Sequence, residues 1–396
     1  MTAYGSIATR ANAASGLSRD EAKDWRLPPS AYLGCKLVTF DHAATLSLTA
    51  VWRDRAISPC NFTISTAMHI DVVGGSGFIG TRLCRRLSAH GRNFSIVDKV
   101  HSDSFPDKVR LADVRSVDKL RETISDGSII INLAAEHRDD IRPLSLYDEV
   151  NVQGARNICT VAREKGVRSI VFTSSVAVYG FAKVGTGEGG KIAPFNPYGR
   201  TKYEAEEVFK QWQSEAPSER TLAIIRPTVV FGEQNRGNVY NLLRQIATRR
   251  FVMVGPGTNR KSMVYVENVA AFIEHALTFS AGVHTYNMID KPDFTMNALV
   301  SHVRRVLGRS EHISFRLAFP LGYAIGFGFD GVARLTGKKL PISAIRVRKF
   351  CADSVYESAA PSTCFVPPVP LELALQKTIE YEFLESHEGE RVFYTE

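Results

Sequence analysis

Ser175, Tyr198 and Lys202 have the types and spacing needed to move a proton on and off a hydroxyl group. Ser175 follows the apolar run RSIVFT, while Tyr198 and Lys202 are four residues apart on a predicted helix and so share one of its faces. A phenol with a pKa of about 10 is a weak base at neutral pH, but a neighbouring ammonium group favours the phenolate. We therefore expect Ser175 to hold a substrate oxygen, Tyr198 to exchange its proton, and Lys202 to lower the tyrosine pKa.

A glycine-rich turn near the start of the periodic sequence is typical of a dinucleotide site. A short apolar strand from Met68 runs into Gly74, Gly77 and Gly80, and an amphipathic helix follows. These glycines permit a tight turn, close approach of a pyrophosphate and close packing of the helix, whose N-terminal N–H groups face the phosphates.

A second strand, FSIVD, ends in Asp98, where a carboxylate can accept hydrogen bonds from both ribose hydroxyls. A carboxylate repels a 2′-phosphate, so NAD is favoured over NADP, although Lys99 softens the preference. The oxidised nicotinamide ring would also favour the phenolate of Tyr198, and Lys202 would hold the nicotinamide ribose. The residues assigned to NAD are Gly74, Gly77, Phe78, Ile79, Gly80, Asp98, Tyr198 and Lys202.

The elements that must position these residues alternate between strand and helix. Strands are predicted at 94–98, 111–114, 128–135, 168–175 and 222–227, and helices at 199–213 and 238–248. This alternation predicts an α/β fold with a doubly wound parallel sheet of the Rossmann type. We expect residues 68–233 with 262–288 to bind NAD, and residues 234–261 with 289–396 to form a smaller substrate-binding domain.

The composition excludes several other classes of protein. The 396 residues are 44% hydrophobic and 23% charged, which is ordinary for a globular chain, and no apolar run is long enough for a bilayer-spanning segment. The net charge is +8, of which the first 67 residues supply +2; we take the remaining +6 as too diffuse for nucleic-acid binding. The six cysteines show neither zinc nor disulfide spacing, so we expect no metal and a cytoplasmic location.

Residues 1–67 have no sustained helical or strand period. We interpret them as an extension outside the fold, since a self-sufficient strand begins at Met68. A targeting segment is the alternative, because the first twenty residues are rich in serine and alanine and contain two arginines.

The sequence resembles the extended short-chain dehydrogenase/reductase family, also called NAD-dependent epimerase/dehydratases, over about residues 68–385. The resemblance depends on GGSGFIG, Asp98, NLAA at 132–135, VNVQGARN at 150–157, TSSVAVYG at 173–180, YGRTK at 198–202, IRPTVVFG at 225–232 and MVYVENVA at 263–270. It implies that Asp113 and Val114 flank the adenine, and that Leu133, Ala134 and Ala135 line the cofactor cleft. It also implies a homodimer with helices near 151–166 and 199–213 at the interface.

Within this family, Val176 and Ala177 argue against elimination of water. In the family that the sequence resembles, the sugar 4,6-dehydratases carry adjacent Asp and Glu at these two positions, because elimination of water needs an acid and a base. The resemblance therefore implies a 4-epimerase or 4-ketoreductase acting on a nucleotide-activated sugar, such as a UDP-hexose or UDP-N-acetylhexosamine. A 3β-hydroxysteroid-type dehydrogenase and a non-catalytic dinucleotide sensor or scaffold are the alternatives.

Polar and basic residues in the second half are candidates for contact with the substrate. Asn238, Arg260 and Lys261 can meet a diphosphate, and Ser175 would hold the sugar hydroxyl. One departure from the family is Val229, where many sugar epimerases carry Asn. The apolar and then basic stretch 315–340 is interpreted as a core helix of the smaller domain, with peripheral membrane contact as the alternative.

Overall fold

The computed structural model describes residues 68–138, 141–313, 315–336 and 344–395. The predicted extension, residues 1–67, lies outside these residues. The strands are β1 (Ile70–Val73), β2 (Phe94–Asp98), β3 (Val109–Leu111), β4 (Ile129–Asn132), β5 (Ser169–Thr173), β6 (Thr221–Pro227), β7 (Val229–Phe231), β8 (Met253–Val254), β9 (Arg260–Tyr265), β10 (Gly282–Met288), β11 (Asp290–Thr295) and β12 (Arg316–Leu317).

The helices follow the predicted alternation. They are α1 (Phe78–Ala89), α2 (Val117–Thr123), α3 (Ser145–Tyr147), α4 (Gly154–Glu164), α5 (Pro197–Ser214), α6 (Asn238–Ala247), α7 (Val266–Ala276), α8 (Met296–Val306), α9 (Phe319–Thr336), α10 (Ala344–Cys351) and α11 (Leu371–Phe383). A π-helical segment, Asp148–Gln153, joins α3 to α4, and short 3₁₀ turns occupy Pro106–Lys108, Val176–Tyr179 and Ala360–Thr363.

Seven parallel strands form the central sheet, in the order β10-β6-β5-β4-β1-β2-β3. The strands β1, β4 and β6 are buried on both faces, as their apolar runs predict, whereas the edge strand β3 is largely exposed. On one face α1 and α7 contribute Leu83 and Phe272 to the core, and on the other α4 and α5 contribute Ile158 and Trp212. The predicted doubly wound α/β fold is confirmed.

Three of the predicted strands differ from the observed ones by two or more residues at an end, and the one predicted at 168–175 covers Ser169–Thr173. The third strand covers Val109–Leu111 rather than 111–114, and the fourth ends at Asn132 rather than at residue 135. Only Val109–Leu111 pairs with β2, and the Asn132 side chain accepts a hydrogen bond from the Ala134 N–H (3.1 Å), which turns the chain out of the sheet. The residues that leave the strands therefore become available to line a cleft.

A second core lies among α6, α8 and α11, which pack through Leu243, Val300 and Leu375. Two small sheets accompany it: β11-β9-β7, in which β9 runs antiparallel to β11 and parallel to β7, and β12-β8. No helix in the described ranges is both long and apolar enough to cross a bilayer.

Candidate active site

A cavity of about 1940 Å³ opens at the carboxyl ends of the central strands, where doubly wound sheets bind their ligands. All residues assigned from the sequence to NAD line it, as do Ser175, Asn238 and Lys261. Arg260 is the exception, because it is absent from the cavity lining and its backbone N–H donates to Asp353 (2.6 Å).

The glycine turn leaves no room for side chains. Gly74 has φ +81°, and a Cβ atom on it would lie 2.6 Å from the backbone nitrogen of Ala134. A Cβ on Gly80 would lie 2.6 Å from the carbonyl oxygen of Gly74, so α1 packs directly against the turn. No side chain in the described chain caps α1 at Gly77, and its first N–H groups therefore remain available to a pyrophosphate. This cradle fits a dinucleotide.

Asp98 lies where β2 ends and faces the same cavity. Its carboxylate accepts hydrogen bonds from the N–H groups of Ser76 (3.0 Å) and Val100 (3.2 Å), which fix its orientation. Burial raises the pKa of Asp98 above its usual value, against the effect of these hydrogen bonds. An oriented carboxylate at this place can accept further hydrogen bonds from ribose hydroxyls.

Ser175, Tyr198 and Lys202 come together on the wall of the cavity. Asn196 caps α5 by accepting the Gly199 N–H (2.9 Å), which places Tyr198 in the first turn and Lys202 one turn later. The Ser175 hydroxyl hydrogen-bonds to the Tyr198 phenol and also accepts the Ala177 N–H (3.1 Å). Two hydroxyl groups therefore lie together, as general acid–base chemistry on a substrate hydroxyl requires, while the Lys202 ammonium lies 4.4 Å from the ring centre of Phe172.

The protein alone does not make Tyr198 acidic. Burial raises the pKa of its phenol to about 12, and the hydrogen bond with Ser175 opposes this only in part. Burial also lowers the pKa of the Lys202 ammonium to about 7, while the nearby Glu206 carboxylate acts in the opposite direction. The expected activation of the phenol therefore depends on further positive charge in the cavity, such as the charge of an oxidised nicotinamide ring.

A buried ion pair lies beneath the reactive residues. Glu206 follows Lys202 by one helical turn and accepts two hydrogen bonds from Arg226, at 2.9 and 2.6 Å, and their side chains are 0% and 4% exposed. Ser174 donates to the same carboxylate, and Arg226 also donates to the Tyr179 hydroxyl (2.7 Å). The pair connects β6, α5 and the end of β5, so it fixes the strand and helix that carry the reactive groups.

The far end of the cavity is rich in cations. The Lys261 ammonium lies in the wall and donates to the carbonyl oxygens of Lys349 (2.8 Å) and Ala352 (2.6 Å). Burial lowers its pKa. Four further cations line the cavity that the sequence interpretation missed, namely Arg244, Arg250, Arg348 and Lys349. Their distance along the chain hid the cluster, although Arg348 and Lys349 follow a conspicuous basic run.

His137 is a further residue in the cavity wall that the sequence interpretation missed. Burial lowers its pKa, so the imidazole is neutral at pH 7 and can donate or accept a single hydrogen bond at each nitrogen. Its position just after the predicted NLAA strand end was the available signal, because ligands bind where parallel strands end.

Comparisons with known proteins agree with this geometry. The profile described as "NAD dependent epimerase/dehydratase family" matches residues 70–288. The N-acetyl-α-D-glucosaminyl-diphospho-ditrans,octacis-undecaprenol 4-epimerase of Escherichia coli O157:H7 is 46% identical over 330 residues, which are 83% of this chain and 99% of that protein.

One more distant sequence and one solved structure are also similar to this chain. The UDP-glucose 4-epimerase of Vibrio cholerae is 28% identical and aligns with 67% of this chain and 84% of its own length. The structure of MoeE5 in complex with UDP-glucose and NAD superposes with a TM-score of 0.61 at 22% identity, over 79% of this chain and 98% of the other.

Proposed function

Since the chain belongs to the NAD-dependent epimerase/dehydratase family, we propose that it is an enzyme that inverts C4 of a sugar joined to its carrier through a diphosphate. The observation that carries the proposal is the shared cavity: Ser175, Tyr198 and Lys202 line one part of it, and the cation cluster around Lys261 lines another. A sugar hydroxyl and a diphosphate on one substrate match these two regions.

The reactive residues supply the proton chemistry. The C4 hydroxyl would lie between Ser175 and Tyr198, with the serine holding its oxygen and the tyrosine taking its proton. The glycine turn and Asp98 would hold NAD, which when bound would supply the hydride acceptor for C4 oxidation and the hydride donor for reduction at the opposite face of the 4-keto sugar. Tyr198 then returns the proton to the C4 oxygen, so the net reaction consumes neither proton nor reductant. Val176 and Ala177 provide no carboxylate for elimination.

Two carriers share the diphosphate that the cations would bind. The sequence resemblance implies a nucleotide, whereas the name of the E. coli O157:H7 relative specifies undecaprenol. At 46% identity over nearly the whole relative, we favour N-acetylhexosamine on a polyprenyl diphosphate, with the UDP-sugar as the second candidate. The steroid and non-catalytic alternatives have less support, because this relative is a sugar 4-epimerase by name and the Ser–Tyr–Lys set is intact.

The domain division, the dimer and the location are further parts of this proposal. The core among α6, α8 and α11, which also takes in Phe231 and Tyr265, supports a substrate-binding part made of residues 234–261 and 289–396, beside an NAD-binding part of 68–233 and 262–288. We place α4 and α5 at a homodimer interface and the enzyme in the cytoplasm, as the sequence predicts. Light scattering of the purified chain and cell fractionation test these two points.

The test of the activity uses two substrates, one active-site variant and one control variant. N-acetylglucosaminyl-diphospho-undecaprenol or UDP-N-acetylglucosamine is incubated with the chain and NAD, and the C4 configuration is read by NMR. We expect conversion to the galacto epimer, and we expect Tyr198→Phe to reduce turnover by roughly 10²- to 10⁴-fold. Tyr203→Phe, on the same helix but outside the cavity lining, serves as the control. Unchanged turnover in Tyr198→Phe, or no inversion of either substrate, contradicts the proposal.

A further inference from the structure

Helix α9 presents large apolar side chains to solvent. Leu321, Ile325 and Val332 lie on one stripe of the helix and are 54%, 40% and 49% exposed, and Phe327, on another side of the helix, is 58% exposed. The interpretation of this stretch as a core helix is therefore wrong. Apolar content alone did not show which side of the helix other elements cover.

The covered side of α9 consists largely of small residues. Gly322 and Gly326 are buried, and a Cβ atom on Gly322 would lie 2.8 Å from a methyl group of Val254. The helix thus packs closely through its glycines and directs its bulky residues outward. This is the reverse of an ordinary amphipathic helix, whose large apolar residues face the core.

Positive charge is concentrated in the part of the sequence that contains this helix. Residues 316–351 contain seven basic residues and one acidic residue, so this segment carries +6 of the net +8. The earlier interpretation of this charge as diffuse is therefore wrong. Arg348 and Lys349 on α10, which packs against α9, are exposed. An exposed apolar face beside clustered basic residues is typical of segments that lie on anionic membranes.

The same region adjoins the candidate active site. Arg348 and Lys349 also line the cavity, and the Lys349 ammonium lies 4.2 Å from the ring centre of Phe195. Phe195 stacks on Phe181, with ring centres 4.7 Å apart, and both rings lie in the cavity wall while being 47% and 68% exposed. The basic and aromatic rim thus connects the cavity to α10 and, through it, to α9.

We propose that α9 and α10 form a docking surface for the anionic face of a lipid bilayer. The apolar side chains of α9 enter the headgroup region, and the exposed Arg316, Arg348 and Lys349 contact lipid phosphates. This placement would bring the cationic end of the cavity to the depth at which a polyprenyl diphosphate presents its sugar. The role given to this surface rests on the proposed function, whereas the evidence for the surface itself is the exposure of the apolar side chains and the nearby positive charge.

The test measures binding of the full chain to vesicles. Flotation is compared between vesicles of phosphatidylcholine and vesicles that also contain 30% phosphatidylglycerol, at about 0.1 M and 0.5 M salt. We expect binding to the anionic vesicles only, weakened by salt. We expect the triple variant Leu321→Ser/Ile325→Ser/Val332→Ser to lower the partition coefficient by roughly tenfold or more. The matched control replaces three exposed apolar residues elsewhere by serine: Val366, Leu373 and Leu384.

Three results would overturn the surface. The first is that the full chain does not bind anionic vesicles. The second is that the α9 variant and the control variant bind equally well. The third is that the α9 variant changes its oligomeric state while neither it nor the wild type binds vesicles. The last result would assign the apolar face to a second copy of the chain. Thermal unfolding of both triple variants checks that the fold is retained.

A parallel activity assay separates this proposal from the proposed function. The α9 variant should retain turnover of a water-soluble short-chain prenyl diphosphate sugar while losing turnover of the undecaprenyl substrate in vesicles. Vesicle binding without any epimerisation supports the surface and contradicts the function. Epimerisation of the undecaprenyl substrate without vesicle binding supports the function and contradicts the surface.

Discussion

Glu206→Gln tests whether the buried ion pair supports the reactive residues. The substitution keeps the size of the side chain but leaves the Arg226 guanidinium, which is 4% exposed, without its carboxylate. Removal of one partner from a buried pair costs about 3–5 kcal/mol, because the remaining charge stays desolvated. For the 318 residues that the structure describes, about 4 kcal/mol corresponds to a decrease in Tm of roughly 6 °C.

The assay is a thermal-unfolding cycle of four proteins: wild type, Glu206→Gln, Arg226→Met and the double variant. Because the double variant buries no uncompensated charge, it should be more stable than either single variant predicts, with a coupling energy of about 2 kcal/mol or more. A Tm for Glu206→Gln within about 1 °C of wild type, or strictly additive changes, would refute the reasoning.

The same variant has a second effect, which a merely structural role would not produce. Glu206 raises the pKa of Lys202, which burial lowers to about 7. Without the carboxylate, Lys202 should lose its proton at lower pH, so the alkaline decline of activity should move to lower pH when measured below both melting temperatures. An unchanged pH profile would leave Glu206 with a structural role only.

Two further predictions concern the glycine turn and a buried acid. Gly80→Ala should weaken NAD binding and lower the free energy of unfolding by about 1–3 kcal/mol, because the new Cβ would lie 2.6 Å from the Gly74 carbonyl oxygen. Gly189→Ala is the control, because its Cβ would meet nothing within 4 Å. Calorimetry with NAD and thermal unfolding compare the two variants, and equal effects would contradict the close packing at Gly80. Burial raises the pKa of Asp290 from 3.8 to about 6, so the folded protein favours the protonated carboxyl. Asp290 therefore adds about 3 kcal/mol to the free energy of unfolding below pH 4, and this contribution is lost as the pH rises through 6. In urea unfolding, the stability of Asp290→Asn relative to wild type should therefore increase between about pH 4 and pH 7.5. The exposed Asp107→Asn is the control. A stability difference between Asp290→Asn and wild type that stays constant over this pH range would contradict the prediction.

Local patterns made the sheet and much of the candidate site predictable. The glycine spacing, the strand-terminal Asp98 and the Tyr–Lys spacing each depend on residues close together in sequence, and the strand and helix periods place them at one end of the sheet. The exact strand ends were less predictable, because hydrogen bonds such as that from Ala134 to Asn132 decide where the chain leaves the sheet.

Long-range features could not be predicted in the same way. The Glu206–Arg226 pair joins a helix to a strand, and the cation cluster gathers residues from separate elements, so neither has a spacing signature. The exposed face of α9 depends on the close packing of Gly322 against Val254, which hydrophobic content does not reveal. In each case tertiary packing, and not local propensity, decides the outcome.

The most direct test of the central claim follows the hydrogen on C4. N-acetylglucosaminyl diphosphate undecaprenol carrying deuterium at C4 is incubated with the chain and NAD, and the product is analysed by NMR and mass spectrometry while absorbance at 340 nm reports free NADH. If the enzyme inverts C4 by removing and returning the same hydride, the galacto product retains deuterium at C4 and no net NADH appears. Loss of the label to solvent, or one NADH released per sugar oxidised, would contradict the account.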